Sequence, residues 1–356
     1  MDSREQLLKD LTEAAGVPGY EAEVREVLQR YLEPVGTLER DKIGSLICVQ
    51  PGQAERPKVM LAAHMDEIGF MVRHILPEGF IKFIPLGGWW DQVLLGQRVV
   101  IKTHKGDVVG VFGARPPHLL SPDDRKKVVE KKEMYIDIGA SSAEEVEAAG
   151  VRVGDPVVPL ADFRILANPK TYLAKAFDDR VGCALMVETM MAAANTPHPN
   201  TLYGVATVME EVGPRGARTA AEMIDPDVAL ILEVDIAGDV PGIKPEESPL
   251  KIGQGPAVLL YDARMIPNLR LRDLVIETAQ ALGIPLQLSA IEGGATDGAL
   301  IHLHGIGVPT VVLGVPSRHI HSHGAIIHRD DYDNALKLLA ALVQKLDRET
   351  VAALTQ

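Results

Sequence analysis

The chain has 356 residues, 46% hydrophobic and 24% charged, with a formal net charge of −13 and a pI near 5.3. That length exceeds what one hydrophobic core usually fills, so two domains are expected, in the composition range of ordinary globular chains. The acidic balance argues against nucleic acid or a membrane surface as partner, and no apolar run approaches bilayer-spanning length.

The polar opening Met1-Asp2-Ser3-Arg4-Glu5-Gln6 has no leader-like apolar stretch, and Cys48 and Cys183 each sit in an apolar segment. A cytoplasmic protein with two reduced core thiols is therefore expected. Residues 3–33 read as two amphipathic helices broken at Gly16-Val17-Pro18-Gly19, with Leu7, Leu8, Leu11 and Ala14 on one apolar face and Val24, Val27, Leu28 and Tyr31 on the next. Residues 40–45 form a turn and 45–49 a short strand. A buried strand over 58–63 then ends in His64-Met65-Asp66-Glu67-Ile68-Gly69.

From about residue 70 to 165 the texture changes to short alternating strands (79–85, 97–102, 106–111 and 153–158) between Gly, Pro and charged turns, with one helix near 142–149. That spacing suggests a small β-barrel or sandwich inserted into the main unit. Within it, Trp89-Trp90 reads either as an exposed contact patch or as two core aromatics.

The α/β pattern resumes near 170. Asp178-Asp179-Arg180 introduces a helix through 194, and a β-branched strand over 205–209 runs into Glu210 and Glu211, with Gly213, Pro214 and Gly216 breaking it. A helix over 217–223 is followed by a strand at 228–232 ending in Glu233-Val234-Asp235. A helix at 271–282 and a strand at 286–291 precede the loop Gly293-Gly294-Ala295-Thr296-Asp297-Gly298. The last buried strand, 309–315, leads into Arg318-His319-Ile320-His321-Ser322-His323, and a helix over 332–346 closes the chain. The fold class is thus α/β, an open mixed sheet flanked by helices. The discontinuous main domain is expected at 1–69 plus 166–356, and the β domain at 70–165.

Four strands of this pattern end in metal-ligating residue types, His64/Asp66, Glu210/Glu211, Asp235 and His321, and Asp178-Asp179 opens a helix. Alone, a histidine beside a strand is a structural residue and an Asp before a helix an N-cap. Together they are harder to dismiss, because carboxyl ends of strands in one sheet converge on one crevice. Gathering carboxylates and imidazoles there without a cation is costly in repulsion and desolvation. Nitrogen and oxygen ligands without thiolate suit zinc, cobalt or manganese. Two His and three or more carboxylates are too many for one catalytic zinc but fit two metals sharing a carboxylate.

The ordered motifs His-x-Asp, Asp-Asp-Arg, Glu-Glu-x-Gly-x-x-Gly, Val-Asp, Gly-Gly-x-Thr-Asp-Gly and Arg-x-Ile-His-Ser resemble those of the cocatalytic metalloaminopeptidases of family forty-two. This family comprises the tetrahedral-dodecamer aminopeptidases of glutamyl, leucyl and lysyl type, with some members once labelled endoglucanase. The resemblance runs nearly end to end, implies the zinc-peptidase type of sheet, and places the inserted β domain where that family has its second domain. It implies two divalent cations per subunit, zinc or cobalt with manganese also suitable. Their ligands would be His64, Asp178, Glu211, Asp235 and His321, with Asp178 bridging and Asp179 the alternative. Glu210 would be the general base, and Asp66 would orient the His64 imidazole. Gly294, Thr296 and Asp297 would lie near the substrate's first side chain. His321 departs from the family context in having His319 and His323 as neighbours, with His328 also close, so the loop offers four imidazoles. The implied activity is removal of N-terminal residues from short peptides. The implied assembly is a homo-oligomer built from dimers, up to a tetrahedral dodecamer, with the β domain serving oligomerisation and substrate access.

A related two-metal amidohydrolase, a deacylase or carboxypeptidase, is the runner-up. A glycosidase would need only two carboxylates and would leave the histidines idle. A non-enzymatic metal-binding scaffold would use the ligands and leave Glu210 without a task.

Overall fold

A computed structural model describes residues 1–356. Helix α1 (Ser3–Glu13) opens with a reciprocal cap: Asp2 accepts the Glu5 N–H and Glu5 accepts the Asp2 N–H. Together with α2 (Ala22–Leu32) it buries the two predicted apolar faces, although Ala14 and Tyr31 stay at the margin. Strands β1 (Thr37–Arg40) and β2 (Leu46–Gln50) form a hairpin. One oxygen of Asp41 accepts the N–H groups of Ile43, Gly44 and Ser45, which fixes its turn. Strand β3 (Lys58–His64) follows.

Six strands then close on themselves: β4 (Gly69–Ile75), β5 (Ile81–Leu86), β6 (Arg98–Thr103), β7 (Gly106–Gly113), β8 (Tyr135–Asp137) and, after α3 (Ala143–Ala148), β9 (Pro156–Pro159). Their order around the barrel is β4-β5-β8-β7-β6-β9. The closed barrel, rather than a sandwich, leaves no free edge. Phe70 is its centre, with the rings of Phe83, Trp89 and Phe112 at 5.1, 4.8 and 4.8 Å. Trp89 is buried there while Trp90 is 63% exposed, so the pair divides between the two readings.

The chain returns through β10 (Arg164–Ile165) and β11 (Thr171–Ala174) to α4 (Phe177–Ala193), β12 (Thr201–Thr207), α5 (Arg215–Ile224) and β13 (Val228–Ile236). Then come β14 (Ala257–Leu259), α6 (Leu269–Ala281), β15 (Gln287–Ser289), α7 (Gly298–Ile301), β16 (Thr310–Ser317), β17 (Ala325–His328), α8 (Arg329–Lys345) and α9 (Arg348–Ala353). The eight-stranded sheet has the order β1-β2-β12-β3-β13-β16-β14-β15, and β10, β11 and β17 form a small separate sheet. Strands β12, β3, β13 and β16 are parallel, while β2 and β14 join antiparallel, which makes the sheet mixed as expected. Helix α4 is apolar nearly all round because it is packed on every side, under the sheet and against α1, α2 and α8. The opposite face carries a smaller core with α5 and α7.

Three boundaries differ from the sequence reading, and each moves the site. Strand β12 stops at Thr207, not Met209, because Met209 adopts a left-handed conformation with φ 57°. Glu210 and Glu211 therefore stand in a turn beyond the strand. Strand β13 runs to Ile236, so Glu233 and Asp235 lie inside it. Asp178 and Asp179 have non-helical torsions, and the regular helix starts only after them.

Candidate metal centre

Four strand ends and one helix start meet at a cavity of about 280 Å³ lined by His64, Asp178, Glu210, Glu211, Glu233, Asp235 and His321. Each position follows from local structure. His64 is the last residue of β3, and its Nδ1 faces the Asp66 main-chain carbonyl at 2.9 Å. His321 stands in the loop after β16, where His319 and His321 both have left-handed backbones, with φ 59° and 57°. Such strained positions persist where surrounding contacts hold them. One of those contacts comes from the barrel, as the His321 Nδ1 faces the carbonyl of Gly88 at 2.8 Å.

A carbonyl only accepts, so both Nδ1 atoms carry hydrogen and both Nε2 atoms turn inward. There they meet one carboxylate: Asp178 Oδ1 lies 3.1 Å from His64 Nε2, and Oδ2 lies 3.1 Å from His321 Nε2. Asp179 is used differently. Its oxygens accept the main-chain N–H groups of Gly182 and His64, at 3.0 and 3.1 Å, so it caps α4 and ties it to the end of β3. Glu211 lies 3.6 Å from His321 Nε2, and its Oε1 is buried without a hydrogen-bond partner. Glu210 Oε2 is 4.0 Å from His64 Nε2.

Two groups of potential ligand atoms lie mutually within 4.8 Å: His64, Asp178 and Glu211, and His64, Asp179 and Glu233. Asp235 lines the cavity but belongs to neither group; one of its oxygens accepts from the Ser289 hydroxyl and the other from the Ile236 N–H. Of the four candidate imidazoles, only His321 reaches the cluster. His319 is exposed, His323 packs on Trp89, and His328 caps α8.

Two of the residues expected at the site make their closest contacts elsewhere. The His64 ring is held chiefly by the Asp66 carbonyl, and the Asp66 carboxylate, 3.6 Å from Nδ1, instead accepts the N–H groups of Glu210 and Glu211 at 2.9 and 3.0 Å. That carboxylate shapes the Glu–Glu turn. Gly294 and Thr296 line the cavity, but Asp297 does not: the chain dives at the start of α7, and Asp297 is buried against the Thr207 hydroxyl.

The electrostatics test whether cations fit. Neutral imidazoles here would point lone pairs at carboxylate oxygens 3.1 Å away, acceptor against acceptor. Only a proton or a cation between them removes that conflict. In the metal-free chain, protons take that place. Burial opposes charge on His321, but Asp178 outweighs it and raises the imidazole to about 9; His64 is likewise raised well above its ordinary value. Burial would raise Asp178 too, yet hydrogen bonds from His321 and His64 hold it far below the usual carboxylate range. Burial, aided by Asp178, lifts Glu211 to about 8. It also pushes Glu210 and Glu233 well up and Asp235 to about 6. Inward imidazoles, crowded carboxylates and an orphaned Glu211 oxygen fit divalent cations.

Beneath the centre, Glu67, Lys175 and Arg180 form a buried charge network that sequence reading missed. Arg180 donates to the carbonyls of Met65, Leu11, Ala14 and Gly16, and Lys175 donates to Glu67 at 2.6 Å. Glu233 was missed as well, though it shares a strand face with Asp235 two residues on. Nothing in the sequence near Gly88 signals its contact with His321.

The sequence profile of the family described as M42 glutamyl aminopeptidase matches residues 44–338. The lysyl aminopeptidase of Pyrococcus furiosus is 35% identical over 348 residues, 96% of this chain and 97% of its own length. The crystal structure of a TET aminopeptidase from a marine sediment thaumarchaeon superposes with a TM-score of 0.97 at 49% identity, covering 99% of this chain and 100% of that one. The Pyrococcus horikoshii TET1 peptidase, which can assemble into a tetrahedron or a large octahedral shell, gives a TM-score of 0.88 at 32% identity, covering 97% and 100%.

Proposed function

The chain belongs to the M42 glutamyl aminopeptidase family, and from that membership we propose that it is a metal-dependent aminopeptidase that removes N-terminal residues from short peptides with two divalent cations. The observation that carries this reading is Asp178, whose two oxygens each face one inward imidazole at 3.1 Å. Ligand atoms of His64, Asp178 and Glu211 lie within 4.8 Å of one another, His321 lies 3.1 Å from Asp178 and 3.6 Å from Glu211, and Asp235 would join them by giving up Ser289. Zinc or cobalt suits these donors, and manganese also. Bound cations would supply Lewis-acid polarisation of the scissile carbonyl and of the attacking water.

The chain's own residues do the rest. Glu210 stands beside the cluster without a side-chain hydrogen bond, and burial raises the proton affinity of its carboxylate. It takes the proton of the attacking water at Oε2 and passes it to the leaving amine. The substrate's terminal ammonium is drawn by a cavity rich in carboxylates and without lysine or arginine, which favours cleavage at the first residue. The unit formed by 1–69 and 166–356 carries this chemistry. The barrel at 70–165 serves access and assembly, with its Gly88 carbonyl reaching His321. A cytoplasmic homo-oligomer built from dimers, up to a tetrahedral dodecamer, is the assembly we propose; a monomeric mass in light scattering would refute it.

The direct test is Glu210→Gln. It should keep its metal-to-protein stoichiometry while hydrolysis of free-amine aminoacyl p-nitroanilides falls by about 10²–10⁴-fold. Comparable rates would overturn the general-base role. Cleavage of N-acetylated peptides alone would transfer the assignment to a deacylase.

A further inference from the structure

The cavity that holds the carboxylate–imidazole cluster has a second wall of opposite character. Leu259 and Val312 are cross-strand partners on β14 and β16, 4% and 2% exposed, and both belong to the apolar core shared with α5 and α7. Ile291 packs on that same core. Ile236, at the end of β13, and Ile320, in the loop before His321, complete an aliphatic wall. Val312 and Gly314 alternate onto one strand face. At Gly314 a Cβ would come within 3.0 Å of the Asp235 Cβ, so no side chain separates this wall from the cluster. The wall is therefore where the smaller core of the sheet opens beside the reacting centre.

No cationic side chain offsets it. Lysine and arginine are absent from the lining. The nearby Arg318 is committed to both oxygens of Asp239, at 2.9 and 2.5 Å.

We infer that this wall receives the side chain of the substrate's first residue, and that the enzyme selects uncharged aliphatic residues such as leucine, isoleucine, valine and methionine over glutamate, aspartate or lysine. This inference rests on the aminopeptidase reading above. The first side chain is carried by the Cα bonded to the scissile carbonyl carbon, so it must leave the cluster along an adjoining wall. A carboxylate there would be desolvated among aliphatic side chains with no cationic side chain to pair with. A lysine ammonium would find acceptors only in that cluster, in competition with the substrate's amino terminus. An aliphatic side chain gains from every methylene it buries.

The test is kcat/KM of the metal-loaded full chain on leucyl, methionyl, alanyl, glutamyl and lysyl p-nitroanilides. Leucine should exceed glutamate and lysine by about 100-fold, and alanine by about tenfold. Ile291→Arg, which places a cation at the half-buried edge of the wall, should move the glutamate-to-leucine ratio about tenfold toward glutamate. If circular dichroism shows that this variant is unfolded, Ile236→Arg, at a position 41% exposed, carries the same expectation. Equal or faster cleavage of the glutamyl or lysyl substrate by the wild type overturns the inference, as does an unmoved ratio in a folded variant. Failure to cleave any free-amine substrate defeats the aminopeptidase reading itself and is distinguishable from either result.

Discussion

The Asp66 carboxylate accepts the N–H groups of both Glu210 and Glu211 while lying fully buried. It thereby fixes two side chains that turn apart: Glu211 to His321 and Glu210 to His64. Asp66→Asn keeps the shape but sets an amide donor against one of those N–H groups. Two donors face to face are worse than a missing bond. The metal-free variant should lose about 2–3 kcal/mol in urea unfolding. Its metal-loaded kcat should fall by about tenfold or more, because a small displacement of Glu210, the proposed base, would be costly. Unchanged kcat in a folded Asp66→Asn protein would show that the Glu–Glu turn holds its shape by other means.

Among the elements, the junction of α1, the β3 loop and α4 is tied by one fully buried guanidinium. Arg180 fills carbonyls that neither the helix end at Leu11–Ala14 nor the loop at Met65 can otherwise satisfy. Arg180→Met should therefore leave those acceptors dry and cost about 3–5 kcal/mol. Amide hydrogen exchange should report the loss first in residues 1–16. Global unfolding without earlier opening of that segment would contradict this account. The same junction shows what sequence conveys and what it does not. Strands β3, β12, β13 and β16 were legible because strands buried on both faces read as continuous apolar runs. The convergence of their ends on His64, Glu211 and Asp235 follows from topology alone. Arg180 was legible only as part of a motif, since a buried cation has no periodic signature. The strand end at Thr207 was obscured because Val208 and Met209 are as apolar as the strand they leave. The Ser289 contact that diverts Asp235 and the Gly88 carbonyl behind His321 link segments far apart in the chain, which no local pattern encodes.

At the scale of the molecule, the cluster makes stability depend on pH and on cations together. Without metal, Glu211 has a folded value of about 8 against an ordinary 4.5. The folded state therefore binds that proton more tightly than the unfolded one. Its stabilising contribution is complete below pH 4.5 and is lost as pH climbs to about 8. His321, raised to about 9, adds stability that is complete below 6.5 and declines above it. Its share is smaller, because 37% of the side chain is exposed. His323 has the opposite sign, being lowered by burial to about 4, but its gain is over by pH 6.5. Between pH 6.5 and 8 the terms therefore run one way. In chelator, the unfolding free energy should drop by about 2 kcal/mol across that interval, near the limit of 1.4 kcal/mol per pH unit for one proton. Saturating divalent cation should remove or reverse the slope, since the protons that destabilise by leaving the metal-free protein are those a cation at the proposed site would displace. Urea titrations at pH 6.5, 7.25 and 8.0, with chelator and with metal, separate the two cases. Parallel slopes would mean that the cation binds elsewhere, away from the carboxylates whose protons it should replace.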